Sequence, residues 1–255
     1  WKGSLKKVAS VEWTVSYPTG SLPLRHVVAF HAASQLFALD DERVEETDPQ
    51  SPNETDVYFY YRYNNGHPFV NTIGSGHRNL AHDTIEPDRS ILAQRRDPEI
   101  YPELSWLAQN YEKVRIYREW SFGRNAVFRE PQKADVRNDV LEEDFSNLGL
   151  FLNRVKTRFP AAKKAILSGL KDLYDGFSDF DVFIEGGTVQ VFFTEGDFVI
   201  PATRLSDGTL RYLCLLAILC DPKPPPLICI EEPELGLHPD ILPNLADLLC
   251  AASER

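Results

Sequence analysis

The segment LSDGTLRYLCLLAILCDPKPPPLICIEEPELGLHPD, residues 205–240, carries the strongest secondary-structure signals in the chain. Leu210 to Cys220 is apolar apart from Arg211 and is long enough for a buried helix, but too short for a membrane span. After a proline-rich loop, Leu227 to Ile230 forms a continuous apolar run, which is typical of a strand buried on both faces of a parallel sheet. This order of helix, loop and strand predicts an α/β fold.

Two adjacent carboxylates, Glu231 and Glu232, follow this strand. Ligands of open α/β sheets bind at the carboxyl ends of strands, and successive strand residues point to opposite faces. We therefore expect different roles for the two acids. One can hold a hard cation such as Mg²⁺, and the other can orient a water molecule and accept its proton. The alternative is a pair of solvent-facing acids at a strand end.

The residues before the apolar helix, Leu205-Ser206-Asp207-Gly208-Thr209, have the composition of a helix start. Free N–H groups at a helix N-terminus, together with a nearby hydroxyl, make a site suited to phosphate. The simpler interpretation makes Ser206 an N-cap and places Gly208 in a turn.

Taken together, LSDGT and LICIEEPELGLHPD resemble the signature motif, Walker B strand and D-loop of ABC-type ATPases, in particular the RecF and SMC group of AAA-like ATPases. The resemblance implies ATP and Mg²⁺ as ligands. It assigns Glu231 to Mg²⁺ and Glu232 to polarising the attacking water. It also carries over the signature serine and glycine to Ser206 and Gly208. Asp207 and Thr209 replace the glycine and glutamine of many members, so their contacts stay open.

Two further segments resemble motifs of the same group. Gly236-Leu237-His238 matches the D-loop, which lies at the dimer interface beside both nucleotides. His238 is then either a catalytic base or metal ligand, or an interface and capping residue. Ser90 to Gln94 resembles a Q-loop, whose glutamine, here Gln94, reaches the Mg²⁺ and the water. The resemblance implies a homodimer in the ATP-bound state.

With this resemblance, the whole chain is interpreted as one ATPase head with three segments. These are an antiparallel β-rich part (1–98), a helical lobe (99–178) and the signature helix, Walker B strand and D-loop (179–255). The acidic stretch 40–56 is expected to be a solvated loop. The other predicted elements are a hairpin over 57–73, helices over 101–111, 148–158 and 161–177, and strands over 113–118, 180–185 and 188–193.

No G-x-x-x-x-G-K-[ST] sequence occurs in the chain, and there is no methionine. Both observations predict a fragment of a longer protein. In the ATPases that the chain resembles, the Walker A motif precedes the β-rich segment and a strand with the switch histidine follows the Walker B helix, so the resemblance implies that both ends are cut. We therefore expect residues 1–255 alone to be inactive and the parent protein to hydrolyse ATP.

Composition limits the remaining possibilities. The 255 residues include 27 Lys and Arg against 38 Asp and Glu, a net charge of −11, so the overall field does not favour nucleic acid. The sequence shows no signal peptide or membrane-spanning stretch. The four cysteines stand in apolar surroundings without C-x-x-C spacing, which predicts reduced, buried thiols and a cytoplasmic protein.

Two alternatives remain open. In the first, Glu231, Glu232, Glu234 and His238 bind metal in a metal-dependent hydrolase or nuclease. In the second, a degenerate, non-catalytic module binds a partner protein or DNA, and the stretch Arg115–Arg124 stacks its aromatic rings on bases.

Overall fold

The computed structural model describes residues 8–33, 36–51, 55–64, 67–72, 76–80, 85–86, 88–121 and 123–254. The chain divides into two compact units, a first unit of residues 1–112 and a second unit of residues 113–255. The first unit contains an antiparallel sheet and short helices, and the second mixes helices with strands. The predicted α/β fold class is therefore confirmed.

The described part of the first unit forms a six-stranded antiparallel sheet in which each strand pairs with its neighbour along the chain. Leu24, Val44, Tyr61 and Val70 point from this sheet into a buried cluster with apolar residues of the two helices. The hairpin predicted over residues 57–73 is confirmed by the antiparallel pairing of β4 (Phe59–Asn64) with β5 (His67–Thr72). The elements are β1 (Ala9–Val15), β2 (Leu24–Ala33), β3 (Leu36–Glu46), β4 (Phe59–Asn64), β5 (His67–Thr72), β6 (Gly76–Asn79), α1 (Ile91–Gln94) and α2 (Pro102–Tyr111).

The solvated loop predicted over residues 40–56 is wrong for its first part. Strand β3 continues to Glu46, and Glu42, Glu45 and Glu46 are all buried. Glu45 and Glu46 each accept a hydrogen bond from a residue of another strand: Arg25 donates to Glu45 at 2.5 Å, and Tyr60 donates to Glu46 at 2.9 Å. Glu42 accepts hydrogen bonds from Ser90 and from the N–H of Ile91. Composition could not show this, because these partners are distant in the sequence. Residues 52–54 of this stretch lie outside the described residues.

The second unit combines short strands with four helices among its described residues. Strand β10 (Thr188–Glu195) pairs antiparallel with β9 (Phe177–Glu185), β11 (Phe198–Pro201) and β8 (Gln132–Lys133), whereas β12 (Ile228–Ile230) pairs parallel with β7 (Arg115–Tyr117). The elements are β7 (Arg115–Tyr117), β8 (Gln132–Lys133), α3 (Leu148–Arg158), α4 (Pro160–Leu173), β9 (Phe177–Glu185), β10 (Thr188–Glu195), β11 (Phe198–Pro201), α5 (Asp207–Leu219), β12 (Ile228–Ile230) and α6 (Leu242–Ser253), with 3₁₀ helices Val127–Arg129, Ala202–Arg204 and Pro239–Ile241.

Helix α5 forms the centre of this unit. Every residue from Leu210 to Leu219 is buried, including Arg211, which confirms the buried helix expected from the apolar run. Each fully buried leucine or isoleucine side chain contributes about 1.5–3 kcal/mol. Within the described residues, no helix combines the length and the apolar character needed to cross a membrane.

The predicted end of one strand at Glu185 and the predicted start of the next at Thr188 are confirmed, whereas the predicted end of helix α4 is wrong. The two predicted strands pair antiparallel as β9 and β10 in a hairpin, with Gly186 and Gly187 at φ 56° and 78°, as a two-residue turn of this kind requires. Helix α4 ends at Leu173 rather than Phe177. Phe177 instead begins β9, where it pairs with Glu195 and packs against Phe193, so strand pairing overrides the helical pattern.

Strand β12 differs from its prediction in burial. Ile228 and Ile230 are half-buried against the core of the second unit, but Cys229 on the opposite face is exposed. Among the described residues β12 pairs only with β7, so the expectation of burial on both faces is wrong. The cysteine prediction is also wrong in part, because Cys214 and Cys220 are buried whereas Cys229 and Cys250 are exposed.

Candidate functional site

The candidate site begins at the carboxyl end of β12. This strand lies parallel to β7, with Ile230 opposite Tyr117. The chain leaves the strand at Glu231, whose N–H donates to the carbonyl oxygen of Tyr117 at 3.0 Å. Glu231 and Glu232 are both exposed, and among the described residues neither carboxylate makes a hydrogen bond or ion pair. Both acids are therefore open to a ligand at this end of the strand.

Glu232 has an unusual backbone conformation. Its φ is 45°, in the left-handed region, where a residue with a Cβ is disfavoured by about 1–2 kcal/mol. Its carbonyl oxygen accepts hydrogen bonds from Arg211 Nη2 and, at 3.1 Å, from the N–H of Leu235. Strained residues of this kind persist where surrounding contacts hold them, and they concentrate at functional sites.

The contacts beneath the two acids come from Arg211 and Trp120. The Arg211 side chain is buried, and its guanidinium carbon lies 4.1 Å from the centre of the Trp120 ring. Trp120 Nε1 donates to the carbonyl oxygen of Glu231 at 3.0 Å. Burial lowers the pKa of Arg211, while the charges of Glu234 and Glu232 oppose that shift.

The sequence patterns assign no role to either side chain. In the sequence, Arg211 interrupts an apolar run, and Trp120 is an aromatic residue of the basic stretch Arg115–Arg124. The signal that could have identified Arg211 is a charge within an otherwise apolar helix, because a buried guanidinium needs polar partners.

The first turn of α5 confirms the simpler interpretation of Ser206 as an N-cap. Ser206 Oγ accepts a hydrogen bond from the N–H of Thr209 at 3.1 Å and lies 2.8 Å from Thr209 Oγ1. Leu205, just before the cap, packs against the core of the second unit. The capping geometry is compatible with anion binding, because an N-terminal turn still presents further N–H groups.

Asp207 points to a partner within the unit. Its carboxylate accepts hydrogen bonds from Arg129 Nη2 at 2.5 Å and from the N–H of Gly123 at 3.1 Å. The hydrogen bond from Arg129 holds the pKa of Asp207 below its ordinary value. The carboxylate that replaces a glycine of the signature motif is thus charged and paired with a guanidinium.

The segment that resembles a D-loop contacts the start of α5. A Cβ built on Gly208 would lie 2.9 Å from the carbonyl oxygen of Gly236, so the two backbones are in close contact. Gly236 has φ 76°, which glycine adopts without strain. Leu237 packs against the core of the second unit and fixes the end of the loop.

His238 has a capping role. It precedes the 3₁₀ helix at Pro239, and its Nδ1 accepts a hydrogen bond from the N–H of Asp240 at 3.3 Å. The side chain is exposed and lines an open groove of about 680 Å³. The same groove is lined by Ser206, Thr209, Tyr174 and Glu195, so residues of the two predicted motifs share one surface.

Gln94 belongs to the first unit, at the end of α1. Its Nε2 donates to the carbonyl oxygens of Arg89 at 2.7 Å and Glu86 at 3.0 Å, and its Oε1 accepts from the N–H of Glu86 at 2.8 Å. Both ends of the amide are therefore bound to the preceding loop. The other predicted site residues all belong to the second unit.

The alternative interpretations receive little support from the geometry. In the described part of the chain, no three His, Cys, Asp or Glu side chains converge on a position that could hold a metal ion. Tyr117 is buried, and Tyr117 and Trp120 both stack on Phe145, with ring centres 5.5 and 5.2 Å away. Tyr117 is therefore part of the core and is not available for stacking on bases, whereas Trp120 is half-buried and contacts Phe145 and Arg211. Phe122, the third aromatic residue of this stretch, lies outside the described residues.

Comparison with known families identifies a family to which most of the chain is similar. A family model described as "AAA domain, putative AbiEii toxin, Type IV TA system" matches residues 34–255. No curated protein matches the chain.

Proposed function

The chain belongs to this family of AAA domains, and on that basis we propose that it forms part of an ATP-hydrolysing site of the RecF and SMC type, completed when two copies dimerise. Family membership makes it a nucleotide-binding domain of the P-loop NTPase type. The finer assignment rests on one observation above all. The exposed Glu232 carboxylate lies at the carboxyl end of β12, on a turn that the signature helix α5 contacts directly.

In the proposed reaction, Glu232 orients the attacking water and accepts its proton, while Glu231 helps to hold Mg²⁺. The donor set suits this cation, because Mg²⁺ prefers oxygen ligands and is commonly held by one or two carboxylates together with phosphate oxygens and water. When bound, Mg²⁺ supplies positive charge that offsets the charge on the phosphate oxygens. Glu232 is in the left-handed region and Glu231 is not, and both carboxylates are exposed, which supports a division of roles.

The start of α5 is the proposed contact to nucleotide bound by the second copy. Ser206 is exposed, and it lines an open groove together with Thr209, where the N–H groups of a helix N-terminus suit a phosphate. Asp207 would repel a phosphate if it were unpaired, but Arg129 compensates its charge. The same interface would contain the loop Gly236-Leu237-His238. His238 stabilises the end of this loop by capping the 3₁₀ helix that follows it.

For Gln94 we propose the Q-loop role that its segment suggests. The amide is bound to residues 86–90, so contact with Mg²⁺ or water requires these hydrogen bonds to be exchanged.

No G-x-x-x-x-G-K-[ST] occurs within residues 1–255. We propose that the contacts to the β- and γ-phosphates that this motif makes come from outside this segment. We accordingly propose that residues 1–255 alone hydrolyse little ATP, and that the full-length protein is the active form. The division into segments 1–98, 99–178 and 179–255 stays a prediction.

The experiment is Mg²⁺-dependent ATP hydrolysis by the full-length protein, with Glu232→Gln and Glu234→Gln as a matched pair. Both residues are exposed and lie in the same turn, so each variant removes one charge at nearly the same place. We expect Glu232→Gln to retain nucleotide binding, lose turnover by about 10²–10⁴-fold and accumulate an ATP-bound dimer. Glu234→Gln should behave like the wild type.

Equal turnover by Glu232→Gln and wild type would contradict the assignment of Glu232. A Glu232→Gln variant that binds ATP but forms no more dimer than the wild type would contradict the composite site. Absence of nucleotide binding by the full-length protein would leave the non-catalytic interaction module as the better account.

A further inference from the structure

Arg211 connects two segments of the proposed site that are separated in the sequence. It lies on α5, five residues after Ser206, and its guanidinium reaches the backbone of Glu232. The same helix therefore presents the signature residues at its N-terminus and supports the turn that bears the water-orienting carboxylate. Within the described residues of the second unit this is a direct contact, with no intervening side chain.

Arg211 acts together with Trp120. Arg211 Nη2 donates to the carbonyl oxygen of Glu232, and Trp120 Nε1 donates to that of Glu231 at 3.0 Å. The guanidinium lies 4.1 Å from the centre of the Trp120 ring, which in turn stacks on Phe145. Two successive carbonyl groups are thus held by a pair of stacked side chains, and that pair rests on the core.

These contacts explain why Glu232 adopts φ 45°. A residue with a Cβ normally avoids this region, so the conformation persists only while other contacts compensate for the strain. A return to negative φ would rotate the Cα–Cβ bond of Glu232 relative to β12 and redirect its carboxylate. A displacement of about 1 Å at a reacting group can reduce the rate by about 10²-fold.

Filling the core alone does not explain why an arginine occupies position 211. The side chain is 1% exposed within a helix whose other buried residues are mostly aliphatic. Desolvating a guanidinium is costly, and an aliphatic side chain would fill the same space without that cost. The buried guanidinium is explained by the hydrogen bond that it donates to the carbonyl oxygen of Glu232 in the Glu231–Glu232 turn.

We propose that Arg211, stacked on Trp120, is a positioning residue that holds Glu232 in its left-handed conformation and couples the start of α5 to the carboxylate that orients water. This inference rests on the proposed function for its kinetic consequence. The conformational part does not depend on ATP hydrolysis. Occupation of the Ser206 and Gly208 surface by a phosphate would then be sensed at Glu232 through α5.

The kinetic test compares Arg211→Met, Arg211→Lys and Trp120→Phe in the full-length protein. We expect Arg211→Met to lower kcat by about 10²-fold with little change in the KM for ATP. Trp120→Phe retains an aromatic ring beneath Arg211 but loses the hydrogen bond to Glu231, so its kcat should fall less than that of Arg211→Met. Lysine keeps the positive charge and N–H donors on one nitrogen but has no planar group to stack, so Arg211→Lys should recover part of the activity.

A matched control separates positioning from general destabilisation. Arg154 is also a buried arginine of the second unit; it pairs with Asp221 at 3.4 Å and stacks on Phe151, away from the Glu231–Glu232 turn. Arg154→Met should lower the melting temperature at least as much as Arg211→Met, yet leave kcat unchanged well below that temperature. Equal loss of kcat in both variants would overturn the proposal.

The structural test does not require an active enzyme. Crystal structures of the wild type and Arg211→Met should show Glu232 at positive φ in the first and at negative φ in the second. An unchanged positive φ in Arg211→Met would overturn the proposal even if the wild type hydrolyses ATP. Lack of ATP hydrolysis by the wild type, with the expected change in φ, would refute the proposed function but retain the coupling between Arg211 and Glu232.

Discussion

Gly208 and Gly236 are in backbone contact: a Cβ on Gly208 would lie 2.9 Å from the carbonyl oxygen of Gly236. The contact joins the first turn of α5 to the loop that follows β12, although 27 residues separate the two positions in the sequence. Real Cβ atoms almost never approach an oxygen so closely, and a backbone carbonyl cannot rotate away as a side chain can. The two segments must therefore move together.

Substitution Gly208→Ala tests this contact. Alanine favours a helix by about 1 kcal/mol over glycine, so without the contact the variant would be more stable. We expect instead a loss of about 1–3 kcal/mol in the free energy of unfolding, since overpacking forces a backbone shift. Urea unfolding measures the difference, and a variant more stable than the wild type would show that the segments are not in contact.

Relief of backbone strain is expected from Glu232→Gly. Because glycine adopts φ 45° without the Cβ penalty, the variant should gain about 1 kcal/mol in the free energy of unfolding while losing any activity that depends on the carboxylate. Glu234→Gly is the control, since Glu234 lies in the same turn without a positive φ and should lose about 0.5–1 kcal/mol. Equal losses in both variants would argue against the left-handed conformation.

The pair of Asp207 and Arg129 predicts a pH-dependent contribution to stability. Because the hydrogen bond from Arg129 lowers the folded-state pKa of Asp207, the stabilisation is fully present above the unfolded-state pKa of about 3.9 and disappears as the pH falls through the lower folded-state value. Since Asp207 is partly exposed, we expect Asp207→Asn to cost only about 1 kcal/mol near neutral pH.

The measurement is the free energy of unfolding of Asp207→Asn and the wild type from pH 7 down to pH 3. The exposed Asp175 provides the control, because Asp175→Asn removes the same charge without removing this ion pair. A difference between Asp207→Asn and the wild type that grows on acidification would have the wrong sign for this mechanism.

The buried carboxylate of Glu42 organises the start of α1. It accepts hydrogen bonds from Ser90 Oγ at 2.5 Å and the N–H of Ile91 at 2.9 Å, and His26 Nε2 lies 3.2 Å away. Glu42→Gln places an amide NH₂ among these donors, so we expect a loss of about 2–4 kcal/mol in the free energy of unfolding. Glu12→Gln, on the exposed face of β1, should change it by less than about 0.5 kcal/mol.

Thiol reactivity tests the burial of the four cysteines. Cys229 and Cys250 are exposed, whereas Cys214 and Cys220 are buried, and burial raises the pKa of Cys214. Because the thiolate is the reactive form, iodoacetamide should modify Cys229 and Cys250 in the native protein and all four after unfolding. Peptide mass spectrometry identifies the sites, and rapid native labelling of Cys214 would contradict the placement of α5.

Local patterns in the sequence were sufficient for several elements. The apolar helix from Leu210, the two strands on either side of Gly186 and Gly187, and a strand that ends at Ile230 were all predicted and are present. Each of these depends on hydrophobic periodicity or turn chemistry within about 20 residues. The likeness to ATPase motifs is likewise local, and the AAA family match supports it at the level of the family.

The tertiary structure alone decided which polar groups are buried. Glu42 and Glu45 carry the composition of a solvated loop, yet β2 and the start of α1 supply the donors that bury them. Arg211 interrupts an apolar helix, and its partner at Glu232 lies 21 residues away. A charge can be buried only when specific partners compensate its lost hydration, and such partners come together only when distant segments pack.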